Sequence, residues 1–158
     1  MKKLFFISFI SIVSLNGGFL DAIKEFNSVD KEQTSIQEKS SNKLLNSIQN
    51  ATNLTTPQTI GTLSTILNYA KNNIDDKEYS NIIKKVPALE SFTNENQLSS
   101  FVSSTLKSNK MVNNSLETLG VKPEIVKVVI PIIVQYVGKY VSKNSKNLFQ
   151  NSLSGLLK

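Results

Sequence analysis

The stretch that decides the fold is GVKPEIVKVVIPIIVQYVGKYVSK, residues 120–143, which is strongly apolar and has Pro131 in its middle. A helix that crosses a bilayer needs about 20 apolar residues, and the run from Ile125 to Val134 is roughly half as long and contains Lys127. A buried strand would suit the valines and isoleucines. However, proline removes a hydrogen bond from a central strand, and no other stretch alternates as a partner strand would. We therefore predict a helix.

The polar residues of this stretch indicate how the helix is oriented. Residues four apart lie on one face of a helix, and Pro131 shares such a ridge with four polar residues: Lys127, Gln135, Lys139 and Lys143. Pro131 should thus face solvent, where the carbonyl that it leaves free can bond water. The sequence predicts a central, Pro-kinked helix over about 123–143, with these side chains on its opposite side: Ile133, Tyr136, Val137, Tyr140 and Val141.

The amino-acid composition limits the chemistry that the chain can perform. The 158 residues include no Cys, His, Trp or Arg, so disulfides, thiol nucleophiles, imidazole bases and the usual zinc sites are excluded. A net charge of +6 would suit nucleic acid, but base readout relies on Arg and no nucleic-acid-binding motif is present. We predict no nucleic-acid partner and no cofactor.

The first 18 residues, MKKLFFISFISIVSLNGG, have the three-part pattern of a secretory signal peptide. Lys2 and Lys3 precede a short apolar core, and Gly17 and Gly18 offer small residues for cleavage. An uncleaved N-terminal anchor is the alternative. The sequence therefore predicts an exported protein, periplasmic or secreted, with no transmembrane span in its mature chain.

The mature chain divides into two parts. Residues 19–43 are predicted to form a short amphipathic piece, in which Phe19, Ile23 and Phe26 have helical spacing, followed by the polar, flexible linker DKEQTSIQEKSSNK over 30–43. Residues 44–158 are predicted to form one helical domain.

Helix signals recur through this domain. Thr56 is a predicted N-cap with Pro57 at the first helical position, and Asp75 or Asp76 is predicted to cap the next helix, which Pro87 ends. The segment ENQLSSFVSSTLKSN over 95–109 has helical spacing too, and Gly120 suits a left-handed C-cap. We predict an all-α fold, a compact bundle of six to seven short helices around the Pro131 helix.

Two blocks resemble a family of small exported bacterial proteins. TPQTIGTLSTILNYAKNNIDDKEYSNIIKKVPALESF, residues 56–92, and LETLGVKPEIVKVVIPIIVQYVGKYVSK, residues 116–143, are similar in order and spacing to segments of the VcgC/VcgE-like proteins, which carry a domain of unknown function. With the LSGLLK ending, the resemblance covers about 44–158. It implies export and a helical fold, and it brings no catalytic residues.

Three clusters could carry chemistry. Ser103 with Lys107, and Ser142 with Lys146, have the i, i+4 spacing of a Ser–Lys dyad, but such pairs arise by chance in a chain rich in both residues. The acids of NNIDDKEYS over 72–80 lack the glycine of a calcium loop and suit helix capping better. The sequence thus predicts a protein that is not an enzyme and holds no metal.

A surface patch is the remaining candidate site. We predict a patch for a protein partner or an anionic envelope component that consists of Lys127, Gln135, Lys139, Lys143, Tyr136 and Tyr140. Residues 101–158 hold eight Lys against Glu117 and Glu124, a net charge of +6, whereas the rest of the mature chain is slightly negative. An exported interaction module is the leading hypothesis, and a protein that binds lipid, an apolar ligand or a membrane surface is the alternative.

Overall fold

The computed structural model of the protein describes residues 34–93 and 106–158. Those residues form seven α-helices and a short 3-10 helix, with no strand among them, so the prediction of an all-α fold is confirmed. The helices are α1 (Thr34–Thr52), α2 (Thr56–Lys71), α3 (Asp76–Lys85), α4 (Pro87–Thr93), α5 (Asn109–Thr118), α6 (Ile125–Val137), α7 (Lys143–Ser152) and η1 (Ser154–Leu157).

Helix α1 begins inside the segment that was predicted to be a linker. Residues 34–43 are helical, and Ser41 is buried where its hydroxyl donates to Ser91 Oγ on α4 at 3.3 Å. The linker prediction is wrong for this part of the chain, because packing against α4 and α6 stabilises a helix that its polar sequence does not favour by itself. The predicted signal peptide and amphipathic piece lie outside the described residues, as does most of the helix expected over 95–109.

The most enclosed element is α2, which contacts each of the other six α-helices of the described chain. Every residue from Gly61 to Leu67 is buried, so α2 has no exposed face along this part. Gly61 permits the close approach of α5, because a Cβ at this position would lie 2.6 Å from Leu119 Cδ1. The Pro131 helix, predicted to be central, instead has one side buried against its neighbours and one exposed ridge.

Local capping explains where several helices begin and end. Thr55, one residue before the predicted Thr56, forms a capping box with Gln58 at the start of α2. The side-chain amide nitrogen of Gln58, Nε2, also donates a hydrogen bond to Leu119 O at 3.2 Å. This bond joins the start of α2 to the end of α5. As predicted, Asp75 caps α3 and Gly120 has a positive φ of 68° after α5.

Helix α6 is shorter than the sequence predicted. It ends at Val137 rather than near 143, and Ser142 caps a separate helix by accepting a hydrogen bond from the Ser145 amide at 3.2 Å. The chain can leave the helix at Gly138, where a Cβ would lie 2.8 Å from Lys146 Cδ of α7. Pro131 lies inside α6 and is exposed, as predicted, and the bend at this residue stays a prediction. No described helix combines the length and hydropathy that a membrane crossing requires.

Candidate functional site

Helix α6 presents an exposed ridge on the side away from the core. Lys127, Pro131 and Gln135 are all exposed on this ridge, and Val128 beside them is 41% exposed. The ridge forms because the opposite positions, which include Val129 and Ile133, are fully buried. Lys127 and Gln135 are eight residues apart, so about 12 Å of helix separates them along the axis.

Two tyrosines form a packed pair at the C-terminal end of α6. The ring centroids of Tyr136 and Tyr140 are 5.3 Å apart, with the ring planes tilted by 42°. The Tyr140 hydroxyl donates to the Tyr136 hydroxyl at 3.3 Å, and the Tyr136 hydroxyl donates to Ser40 O of α1 at 3.2 Å. Tyr136 is 9% exposed and Tyr140 is 41% exposed. We call these two hydrogen bonds the relay to Ser40. The relay fixes the position of the Tyr140 ring at the surface, and it uses the Tyr140 hydroxyl as a donor to another group of the protein.

Lys139 completes this cluster. Its Nζ lies over the Tyr136 ring, 5.8 Å from the centroid, which is within the range of a cation–π interaction. The residue follows the end of α6, where a positive charge is favoured by the partial negative charge of the last carbonyl groups. We call Tyr136, Lys139 and Tyr140 the tyrosine–lysine cluster.

The six residues predicted from sequence are therefore only partly brought together. The Tyr136 ring interacts with both Tyr140 and Lys139, and Lys127 and Gln135 share the α6 ridge, but Lys143 is the first residue of α7. A continuous ridge through all the lysines is wrong because the helix stops at Val137.

Burial changes the acidity of the inner tyrosine. Desolvation by burial, together with the hydrogen bond from Tyr140, raises the pKa of Tyr136 to about 12. The hydroxyl thus keeps its proton throughout the physiological range. In this range the Tyr136 hydroxyl acts as a hydrogen-bond donor to Ser40 O of α1. The exposed parts of the cluster are the Tyr140 ring and the Lys139 side chain.

Sequence reasoning missed one residue near the cluster, Ser40, and considered another, Lys146, only as part of a Ser–Lys pair. Ser40 contributes a backbone carbonyl from the segment that was taken as a linker, and no local pattern predicts such a contact across the fold. Lys146 lies against Gly138 through its aliphatic stem. The Gly138–Ser142 spacing, a glycine followed by an N-cap serine, is the signal that could have located the turn between α6 and α7.

The other candidate clusters have structural contacts where they are described. The Ser142 hydroxyl caps α7 and lies 3.0 Å from Ser145 Oγ. Asp75 caps α3, in line with the capping interpretation of residues 72–80. Within residues 34–93 and 106–158, no group of three or more acids could hold a metal ion. Ser103 lies outside the described residues.

Comparison with known proteins identifies the family of the chain. No curated protein and no solved structure gives a significant match. A family model described as protein of unknown function VcgC/VcgE (DUF2780) matches residues 14–154. This match starts 30 residues before the resemblance that we noted over about 44–158. Because this match spans nearly the whole sequence, the chain belongs to the VcgC/VcgE family of proteins of unknown function.

Proposed function

We propose that this chain is an exported, non-enzymatic binding protein, periplasmic or secreted, whose C-terminal half contacts a protein or an anionic component of the cell envelope. The observation that carries the proposal is the tyrosine–lysine cluster, in which Tyr136 packs against the exposed Tyr140 ring and lies under the ammonium group of the exposed Lys139. Tyrosine is enriched among the residues that dominate binding energy at interfaces, and its ring is already fixed by the relay to Ser40.

The charge distribution supports an anionic partner. Residues 106–158 contain eight Lys and only Glu117 and Glu124, and six of these lysines are exposed residues between 107 and 143. A surface with this excess attracts anionic groups and speeds encounter with them, and the effect weakens with rising salt. Binding through this half should therefore be sensitive to ionic strength.

Cross-linking in cells would test the proposal. A photoreactive amino acid in place of Gln135, which is exposed on α6 next to the cluster, should capture a partner. The matched control carries the same group in place of Lys84, which is exposed on α3. We expect an adduct from position 135 that weakens in the Lys127→Glu, Lys139→Glu double variant. The same adducts from both positions would contradict the proposal.

Binding to lipid or another apolar ligand, or to a membrane surface, is a second candidate function. The observation that favours it is the exposure of Val128 and Tyr140, each 41% exposed and each next to a lysine in the chain. Apolar side chains flanked by lysines suit an anionic membrane surface. Native mass spectrometry of the purified chain distinguishes the two, because a stoichiometric bound lipid would support this second function and count against a pure protein-interaction module.

A further inference from the structure

Helix α6 carries an apolar strip at one edge of its exposed side. Val128 is 41% exposed, and Ile125 and Ile132 are partly buried. The three residues have i, i+3 and i+7 spacing, so they lie on one side of the helix. We call them the α6 strip. Because apolar surface is more stable out of water, the strip can contribute to the binding of a ligand that covers it.

The fold brings lysines of a second helix to the end of this strip. Tyr136, one helical turn after Ile132, donates a hydrogen bond to Ser40 O, so this part of α1 lies against the C-terminal end of α6. Lys39 and Lys43 are within three residues of Ser40, and both are exposed. The α6 strip therefore lies between these lysines and the exposed ridge of α6.

The surface that the two helices form is basic. Lys127, on the ridge, is exposed next to Val128. Helix α1 and residues 122–143 together hold six lysines and two acids, a net charge of +4. In contrast, residues 75–85, which form α3 and its cap, hold three lysines and three acids. The positive charge is thus concentrated around the α6 strip, and α3 provides a neutral comparison.

This combination suits an anionic bilayer better than a protein. The chain has no Arg, and a lysine ammonium is a compact charge that does not impose the fixed, planar pairing of a guanidinium group. Phospholipid headgroups can move to meet lysines at any spacing, and the acyl boundary below them accepts apolar side chains. A protein partner would need acids at positions that match lysines on both helices.

We propose that this surface binds an anionic phospholipid bilayer, with α6 lying flat and Val128 inserted among the headgroups. Lys39, Lys43 and Lys127 lie over the anionic lipids, and α3 makes no contact with the bilayer. The inference rests on the second candidate function given above, and it specifies the class of lipid and the contact surface.

A unique tryptophan tests this orientation, because the chain contains no Trp. Val128→Trp and a matched control, Asn81→Trp at an exposed position of α3, are mixed with vesicles of phosphatidylglycerol and phosphatidylcholine. We expect the emission of Val128→Trp to shift to shorter wavelength and to be quenched by brominated phospholipids, with neither effect for Asn81→Trp. Both variants share the same N-terminal sequence, so binding through that sequence would not distinguish them. No shift for Val128→Trp, or equal shifts for both variants, would overturn the inference.

Vesicle sedimentation tests the lysines without an added tryptophan. One lysine near an anionic membrane strengthens binding about fivefold, so Lys43→Gln and Lys127→Gln should each weaken vesicle binding by about this factor. Lys84→Gln, at an exposed position of α3, should leave vesicle binding unchanged. An equal loss in all three variants would mean that only net charge matters, which would overturn the assigned surface.

The inference and the functions proposed above fail in different ways. If the parent chain does not bind anionic vesicles while the photoreactive group at position 135 captures a protein in cells, this inference is overturned and the leading function stands. Equally strong binding to pure phosphatidylcholine vesicles would overturn the anionic lipid class, whereas the second candidate function would stand. A chain that gives neither adducts nor vesicle binding would contradict both the inference and the leading function.

Discussion

At the scale of single residues, the buried threonines of α2 show how one hydroxyl can cost stability. Thr59 Oγ1 donates to Thr55 O at 2.9 Å and Thr65 Oγ1 donates to Gly61 O at 2.8 Å. Thr62 is 0% exposed, and its hydroxyl has no hydrogen-bond partner in the described structure. A buried polar group without a partner costs about 1–3 kcal/mol.

Replacing that hydroxyl with a methyl group should therefore stabilise the protein. We expect Thr62→Val to raise the free energy of unfolding by about 1 kcal/mol, because valine has a similar shape and no polar atom to desolvate. Chemical denaturation measures the change, and an unchanged m-value shows that only stability has altered.

Thr65→Val is the matched control. It is as deeply buried on the same helix, but its hydroxyl is bonded. We expect this variant to be neutral or to lower the free energy of unfolding by up to about 1 kcal/mol. If Thr62→Val were the less stable of the two, the hydroxyl of Thr62 would have a partner and the argument would be wrong.

At this scale, the sequence predicts interactions between residues that are close along the chain and misses those between residues that are far apart. Asp75 and Gly120 were correctly predicted as caps because each satisfies groups within a few residues of itself. Gln58 was not singled out. Its second bond reaches Leu119, far along the chain, and no local pattern encodes such a contact.

At the scale of elements, α6 shows how a periodic pattern can continue beyond the helix that it describes. The spacing of four residues runs from Lys127 to Lys143, yet α6 ends at Val137. Residues 138–141 turn the chain, and hydrogen bonds to Tyr136 O and Val137 O close that turn. Periodicity identified the helix and its exposed side, but the glycine and the capping serine determined its end.

Pro131 should make α6 less stable than it would be with alanine at this position. It removes one backbone donor in a helix interior, a change that costs about 3 kcal/mol relative to alanine in a regular helix. Because Pro131 is exposed, Pro131→Ala creates no cavity. Proline also restricts the unfolded chain, by up to about 1 kcal/mol, so we expect Pro131→Ala to raise the free energy of unfolding by about 2–3 kcal/mol, measured by thermal or chemical denaturation.

A second exposed position on α6 controls for helix propensity. Val128→Ala should change stability by less than about 0.7 kcal/mol, since it alters propensity without restoring a backbone bond. A smaller gain from Pro131→Ala than from Val128→Ala would mean that the surrounding helices require the bend at Pro131.

At the scale of the whole molecule, contacts between distant elements decide what sequence reasoning could not. The helical domain was predicted from Leu44, whereas α1 already runs from Thr34. Polar residues such as Ser40 and Ser41 gave no local reason for a helix, and their contacts lie on α6 and α4. The fold class and the residues of the tyrosine–lysine cluster were predictable, but the tie from the cluster to α1 was not.

The burial of Tyr136 at this place should be visible in how the free energy of unfolding depends on pH. A tyrosine in an unfolded chain ionises near its ordinary pKa of 10.0, whereas the pKa of Tyr136 in the folded protein is about 12. The folded state thus keeps a proton that the unfolded state loses between these values. Its contribution to stability is complete below pH 10 and is lost as the pH rises toward 12.

Tyr136→Phe removes this titration while it keeps the ring in place. We expect the free energy of unfolding to fall less steeply between pH 10 and 12 in the variant than in the parent protein. Urea denaturation across this range measures both slopes. Tyr79, whose pKa is also raised by burial, is present in both proteins, so its effect cancels in the comparison. Equal slopes would mean that the Tyr136 hydroxyl is solvated in the folded protein rather than buried.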